Sequence, residues 1–145
     1  RRDIMDLPEV GNMSSTHSGN PMACAVGLAV IEEIESRNLI EETNRKGKIL
    51  KDKLNLLKKI SNGKISHILG EGLISAILFQ DPLTGEPDSL TASLVAEKCY
   101  ENGLLVVHTG RESIKLGPPL TISDAAMLEG LDVILESFNA VIRKK

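Results

Sequence analysis

The nearly unbroken apolar run from Met22 to Ile34 constrains this chain more than any other stretch. Asn20 and Pro21 stand immediately before it. Asn is a favoured helix N-cap, and Pro suits the first helical position, where its missing N–H would be unpaired anyway. The run is therefore predicted to be a helix over 21–35. With so few polar positions, that helix is expected to be buried on most of its surface, Cys24 included. Ser14, Ser15 and Thr16 precede it, and Gly19 supplies a turn. Hydroxyls beside a helix start offer O–H and backbone N–H donors together, which suits an anion such as a phosphate. The same residues are also ordinary turn formers, and a role limited to capping the chain stays open.

The totals exclude several function classes. The 145 residues are enough for one domain with a core, and 41% apolar with 26% charged residues is ordinary for a globular protein. A net charge of −3 argues against general affinity for nucleic acid or anionic membranes. Phe79, Phe138 and Tyr100 are all the aromatics, so a base-stacking platform is not expected. Cys24 and Cys99 lack a C-x-x-C partner, and His17, His67 and His108 lack ligand spacing, so no metal site is predicted. Two free thiols point to a reducing compartment, and the cytoplasm is the expected location. No signal peptide and no spanning run is found, so the Asn12-Met13-Ser14 sequon is discounted. The opening Arg1-Arg2-Asp3 reads as the interior of a longer protein.

Taken in order, the rest of the chain alternates cleanly. A short helical turn ended by Pro8 is expected around Ile4, Met5 and Leu7. After the first long helix, residues 39–60 carry an apolar face at Ile40, Thr43, Gly47, Leu50, Leu54 and Leu57, spaced as a helix requires. The opposite face, with Arg45, Lys46, Lys48, Lys51, Lys53, Lys58 and Lys59, reads as solvated. Ser61-Asn62-Gly63 ends that helix. Strands are expected over 65–69 and 73–79, the second apolar on both faces and buried. Gly70-Glu71-Gly72 between them is only part of a dinucleotide-binding glycine pattern and lacks the following helix. A helix over 90–101, a buried strand over 104–107, a turn at 109–111 and a strand over 113–116 follow. Gly117-Pro118-Pro119-Leu120 must be extended. Ser123 caps a last helix whose stripe is Met127, Leu128, Leu131, Ile134, Leu135, Phe138 and Ile142. The fold class is α+β: a small, mostly antiparallel sheet covered by helices.

Four segments, in order, resemble the class III, or omega-type, pyridoxal-phosphate aminotransferases. Ser15-Thr16-His17-Ser18-Gly19-Asn20-Pro21, with Ala23 and Ala25, is similar to that family's S-T-aromatic-x-G-N-P-x-A-x-A segment. Leu69-Gly70-Glu71-Gly72-Leu73 resembles its R-G-x-G-L strand start, and Asn102-Gly103-Leu104-Leu105-Val106 its N/K-G-V/L-L turn. Ile114 to Ile122 (IKLGPPLTI) resembles its I-R-x-x-P-P-L-x-I segment.

The resemblance implies the C-terminal part of a fold type I enzyme. Residues 1–20 would be the tail of a large domain with a phosphate-contacting turn, 21–35 a connecting helix, and 36–145 the small C-terminal domain. It implies that Thr16, with Ser15 as helper, holds the phosphate of pyridoxal 5'-phosphate across a homodimer interface with shared active sites. It implies that Lys115, standing where many members have Arg, contacts a substrate carboxylate, without Arg's two-pronged grip. The reaction would move an amino group from a small-molecule amino donor to a 2-oxo acid. Two departures matter. His17 occupies a place where Tyr or Phe is frequent. The family's Schiff-base lysine lies upstream of the Thr motif, whereas the first lysine here is Lys46. This chain alone is therefore expected to be inactive, and no catalytic residue is assigned within it. A stand-alone, non-catalytic binding or dimerisation domain is the alternative; a decarboxylase or aminomutase on the same fold is a third option.

Overall fold

The structure, a computed structural model, describes Asp3, Glu9, Gly11, Asn12 and residues 15–143. The expected turn around Ile4, Met5 and Leu7, the Ser14 hydroxyl, part of the Asn12-Met13-Ser14 sequon, and Lys144 and Lys145 lie outside the described residues. The chain divides into two compact units, Arg1–Arg37 and Asn38–Lys145.

The first unit contains helix α1 (Pro21–Ser36). Its start forms as the residues require: the Asn20 side-chain oxygen accepts from the N–H groups of Met22 and Ala23 at 2.9 and 3.3 Å, with Pro21 at the first helical position. The expected burial is not found. No residue of α1 is buried, Met22 and Leu28 are largely exposed, and Cys24 is exposed. A cap and a run of helix formers suffice to make a helix, but burial needs a partner, and the core is built from residues after Arg37.

The second unit runs α2 (Leu39–Ile60), β1 (Ile65–Glu71), β2 (Ile74–Phe79), α3 (Ser89–Glu101), β3 (Val107–His108), β4 (Ser113–Leu116) and α4 (Asp124–Arg143). The element order is the expected one, and the class is α+β. The four strands lie in the order β1-β2-β4-β3, with every pairing antiparallel. Helices α2 and α3 pack on the sheet, and α4 packs against both. The core joins Leu50 and Leu54 of α2, Ile77 and Phe79 of β2, Val95 and Cys99 of α3, Ile114 of β4, and Leu131, Ile134 and Phe138 of α4. Phe79 and Phe138 stack with ring centroids 6.4 Å apart. Each such fully buried side chain stabilises by roughly 1.5–3 kcal/mol relative to exposure.

Three expectations are corrected. Strand β2 is not buried on both faces: Ser75, Ile77 and Phe79 are buried, whereas Ile74 is exposed and Ala76 and Leu78 are half-buried. Within the second unit, the helices cover one face of the sheet, so residues alternate. The strand expected over 104–107 shrinks to Val107–His108, and Leu105 is 80% exposed. Apolar character alone did not bring Leu104 and Leu105 a strand partner. On α2, Ile40 is exposed, and Lys46, read as part of the solvated face, is buried. The Lys46 ammonium donates to the Ile122 carbonyl oxygen at 2.6 Å, which satisfies the charged end of an otherwise buried stem. As expected, Gly70-Glu71-Gly72 lies where β1 gives way to β2, in their hairpin, with Gly72 at φ 56°. A Cβ on Gly47 would stand 2.6 Å from the Gly72 carbonyl oxygen, so α2 and this hairpin approach backbone to backbone.

Candidate functional site

The hydroxyl turn before α1 is a tight local structure. The Ser18 N–H donates to the Ser15 carbonyl at 3.0 Å, and the Asn20 N–H to the His17 carbonyl at 3.3 Å. Gly19 takes φ 71° to turn the chain into the helix. Ser15, Thr16, His17 and Ser18 are all exposed. The Ser15 hydroxyl oxygen accepts from the His17 N–H at 3.4 Å, which leaves its own proton to donate. Among the described residues, no hydrogen bond engages the Thr16 hydroxyl.

This geometry changes how an anion could be held. The first free N–H groups of α1, on Met22 and Ala23, are taken by the Asn20 side chain. The donors left at this end are the side-chain hydroxyls, not the helix terminus. Two adjacent exposed O–H groups suit the oxygens of a phosphate ester, so the donor set fits the phosphate of pyridoxal phosphate.

Lys115 belongs to the second unit, near the end of β4. It pairs with Ala76 of β2 on one side and Val107 of β3 on the other. Its neighbour Ile114 is buried in the core, so by strand alternation Lys115 projects from the opposite sheet face, where it is exposed. Among the described residues, Lys115 makes no ion pair and no side-chain hydrogen bond. Gly117, Pro118 and Pro119 follow it directly. The structure thus brings Ser15 and Thr16 together in one turn, while Lys115 stands on the sheet of the other unit.

The histidines have other roles. His108 is half-buried, with one ring nitrogen 2.9 Å from the Ser93 hydroxyl of α3 and the other 3.1 Å from the Ser113 carbonyl of β4. Both ring nitrogens are engaged in tying a helix to the sheet. His67 is exposed on β1, and His17 is exposed in the turn. Among the described residues, no group of three His, Cys, Asp or Glu is placed to hold a metal ion, and no helix is long and apolar enough to cross a membrane.

A second constellation had no signal in the sequence. Arg45 of α2 holds Glu42 and reaches across to Asp124 at the start of α4. The Asp124 carboxyl is held below the ordinary carboxylate range by the Arg45 guanidinium, and so is that of Glu42. Both groups are at the surface, which marks a structural clamp rather than a reactive site.

Comparison with known proteins bears on the whole chain. The family model described as aminotransferase class-III matches residues 1–138. The 4-aminobutyrate aminotransferase of Mycobacterium tuberculosis is 35% identical over 136 residues, covering 92% of this chain and 30% of that protein. The 4-aminobutyrate aminotransferase of Escherichia coli K12 is 34% identical over 143 residues, covering 96% of this chain and 33% of its own length. Among solved structures, the acetylornithine aminotransferase of Elizabethkingia anophelis superimposes with a TM-score of 0.78 at 32% identity, covering 97% of this chain and 35% of that one. The ornithine aminotransferase of Toxoplasma gondii gives a TM-score of 0.80 at 30% identity, covering 98% and 32%. The chain therefore spans about a third of the length of the relatives it matches. By the match over residues 1–138, carried by an α+β fold shared with these solved structures, the chain belongs to the class III aminotransferase family.

Proposed function

We propose that the whole protein to which this sequence belongs is a pyridoxal-phosphate-dependent aminotransferase, and that this chain supplies its small domain and one cofactor contact. The observation that carries the reading is the family match over residues 1–138, with Ser15 and Thr16 presented together just ahead of α1. Residues 1–20 are the tail of the large domain, 21–35 the connecting helix and 36–145 the small domain. The exposed apolar surface of α1 supports a helix made to be covered by other parts of the assembly.

Within that enzyme, the Thr16 and Ser15 hydroxyls would hold the phosphate of the cofactor by hydrogen bonds. They serve the neighbouring subunit of a homodimer, and the two free cysteines suit the cytoplasm. Bound pyridoxal phosphate supplies an aldehyde that takes up an amino group and a ring that accepts the electrons left when a proton departs from the substrate carbon. Lys115 pairs with a substrate carboxylate and orients the substrate; one ammonium point charge holds it less rigidly than an Arg fork would. The amino donor is a small amine or amino acid, with 4-aminobutyrate, ornithine and acetylornithine the first to try, and the acceptor a 2-oxo acid.

The test is amino transfer from these three donors to 2-oxoglutarate by the full-length protein, with and without added pyridoxal phosphate. Cofactor-dependent turnover supports the reading, and its absence with every donor sinks it. Thr16→Ala is expected to weaken cofactor retention by about tenfold or more. A second reading, a non-catalytic binding or dimerisation domain, draws on the exposed apolar residues of α1, among them Met22, Val26 and Leu28, which offer a surface to another chain. Cofactor bound without any turnover would favour it.

A further inference from the structure

We infer that Asn62 is a modification site, where attack by the Gly63 nitrogen converts the side-chain amide to a mixture of aspartate and isoaspartate. The sequence contains two Asn-Gly pairs, Asn62-Gly63 and Asn102-Gly103. Glycine lacks the Cβ that would crowd the approach of its own nitrogen, so both pairs carry the local chemistry. Both are exposed and stand just after a helix, α2 in the first case and α3 in the second. The fold treats them differently.

At Asn102 both reacting groups are occupied. Its side-chain amide donates to the Ser137 hydroxyl of α4 at 3.2 Å. The Gly103 N–H donates to the Tyr100 carbonyl at 3.0 Å. At Asn62 neither group is occupied: among the described residues, no hydrogen bond engages its side chain or the Gly63 N–H. The turn is held instead by the residues on either side. The buried Ser61 hydroxyl donates to the Lys58 carbonyl at 2.7 Å and accepts from the Ile65 N–H at 3.2 Å. The Lys64 N–H donates to the Ser61 carbonyl at 3.1 Å. Asn62 and Gly63 are left as the exposed tip, at φ 51° and 81°.

The step needs only the chain and water. The Gly63 nitrogen bonds to the Asn62 Cγ and gives up its proton. The Cγ–Nδ2 bond breaks, and the amide nitrogen leaves with that proton as ammonia. Water then opens the cyclic imide at one carbonyl or the other, which gives aspartate or isoaspartate; nothing is oxidised or reduced. Either product sets a carboxylate at the C-terminal end of α2, where unpaired carbonyls already concentrate negative partial charge. Isoaspartate also adds a carbon to the main chain between α2 and β1, beside the Gly63 carbonyl that accepts from the Gln80 side chain at 3.0 Å. The modification therefore loosens the joint between α2 and β1.

The test holds the full-length protein in heavy-oxygen water at mildly alkaline pH. Both Asn-Gly peptides are then followed by mass spectrometry after pepsin digestion in ordinary water. Heavy oxygen is expected to enter at Asn62, as aspartate and isoaspartate, at least about tenfold faster than at Asn102, where two further hydrogen bonds must open first. In urea the two sites are expected to react at similar rates, because the protection of Asn102 lies in the fold. Equal rates in the folded protein, faster reaction at Asn102, or label at neither site overturns the inference. A preference for Asn62 that persists unchanged in urea overturns it as well.

Discussion

Arg45 grips Asp124 with both terminal nitrogens, at 2.9 and 2.7 Å, and so ties the first half of α2 to the first turn of α4. The same guanidinium holds Glu42 one turn earlier, at 2.9 Å. One residue later, Lys46 reaches the Ile122 carbonyl. Two consecutive residues of α2 thus fasten the chain on both sides of Ser123, whose hydroxyl accepts from the Ala126 N–H to cap α4.

These two contacts should fail differently. Arg45→Met removes an exposed pair and is expected to lower Tm by no more than about 4 °C, a loss that 1 M salt largely erases. Lys46→Met removes a buried, charge-assisted hydrogen bond and should cost about 1–3 kcal/mol with little salt dependence. Thermal melts of both variants at low and high salt check the contrast. Equal salt sensitivity would contradict it.

Acid should expose the clamp directly. The Asp124 and Glu42 carboxyls sit below their ordinary range because Arg45 hydrogen-bonds to them. Asp81 does so because the Thr84 and Leu83 N–H groups donate to it. A carboxyl whose folded pKa is depressed contributes stability above its unfolded value, and that contribution is lost as pH falls through the folded one. Tm should therefore hold steady between about pH 7 and pH 5 and fall below about pH 4. The Arg45→Met variant should show a shallower fall.

Glycine substitutions should separate close packing from open surface. Gly47→Ala drives a Cβ into the Gly72 backbone and is expected to destabilise by about 1–3 kcal/mol. Gly27, in the middle of α1, has nothing within 4 Å of where its Cβ would be. Gly27→Ala should then raise helix stability by about 1 kcal/mol. Urea unfolding midpoints report the first, and far-ultraviolet circular dichroism of α1 melting the second.

The two thiols should behave oppositely. Cys24 is exposed, whereas Cys99 is buried, and that burial pushes its thiol above the ordinary cysteine range. In the 145-residue chain a disulfide reagent should modify Cys24 at least about tenfold faster than Cys99. Cys99 should react fully only with denaturant.

The helices and hairpins were readable because their signals are local. Leu50, Leu54 and Leu57 recur at helical spacing, and Asn62-Gly63 adopts the positive φ values that end α2. Lys46 was misread for the same reason: it sits in a run of lysines, and only a carbonyl 76 residues away gives it a buried partner. Leu104 and Leu105 look like strand residues, yet strand formation depends on a neighbour that local sequence does not reveal. For the candidate site, Ser15, Thr16 and Lys115 were identified by motif. The clamp of Arg45 on Asp124 was not, since its residues lie far apart in the chain.

The strand order has a consequence for how the chain folds. β1 with β2 and β3 with β4 are local hairpins, each closed by a short connection. The pairing of Ser75 to Leu78 with Leu116 to Ser113 joins them only after the whole of α3 has been looped out. Closing that loop takes entropy that local turns do not. The β2–β4 seam is thus expected to set the folding rate. Weakening Ile77 or Ile114, which meet across it, should slow folding more than an equal loss within either hairpin.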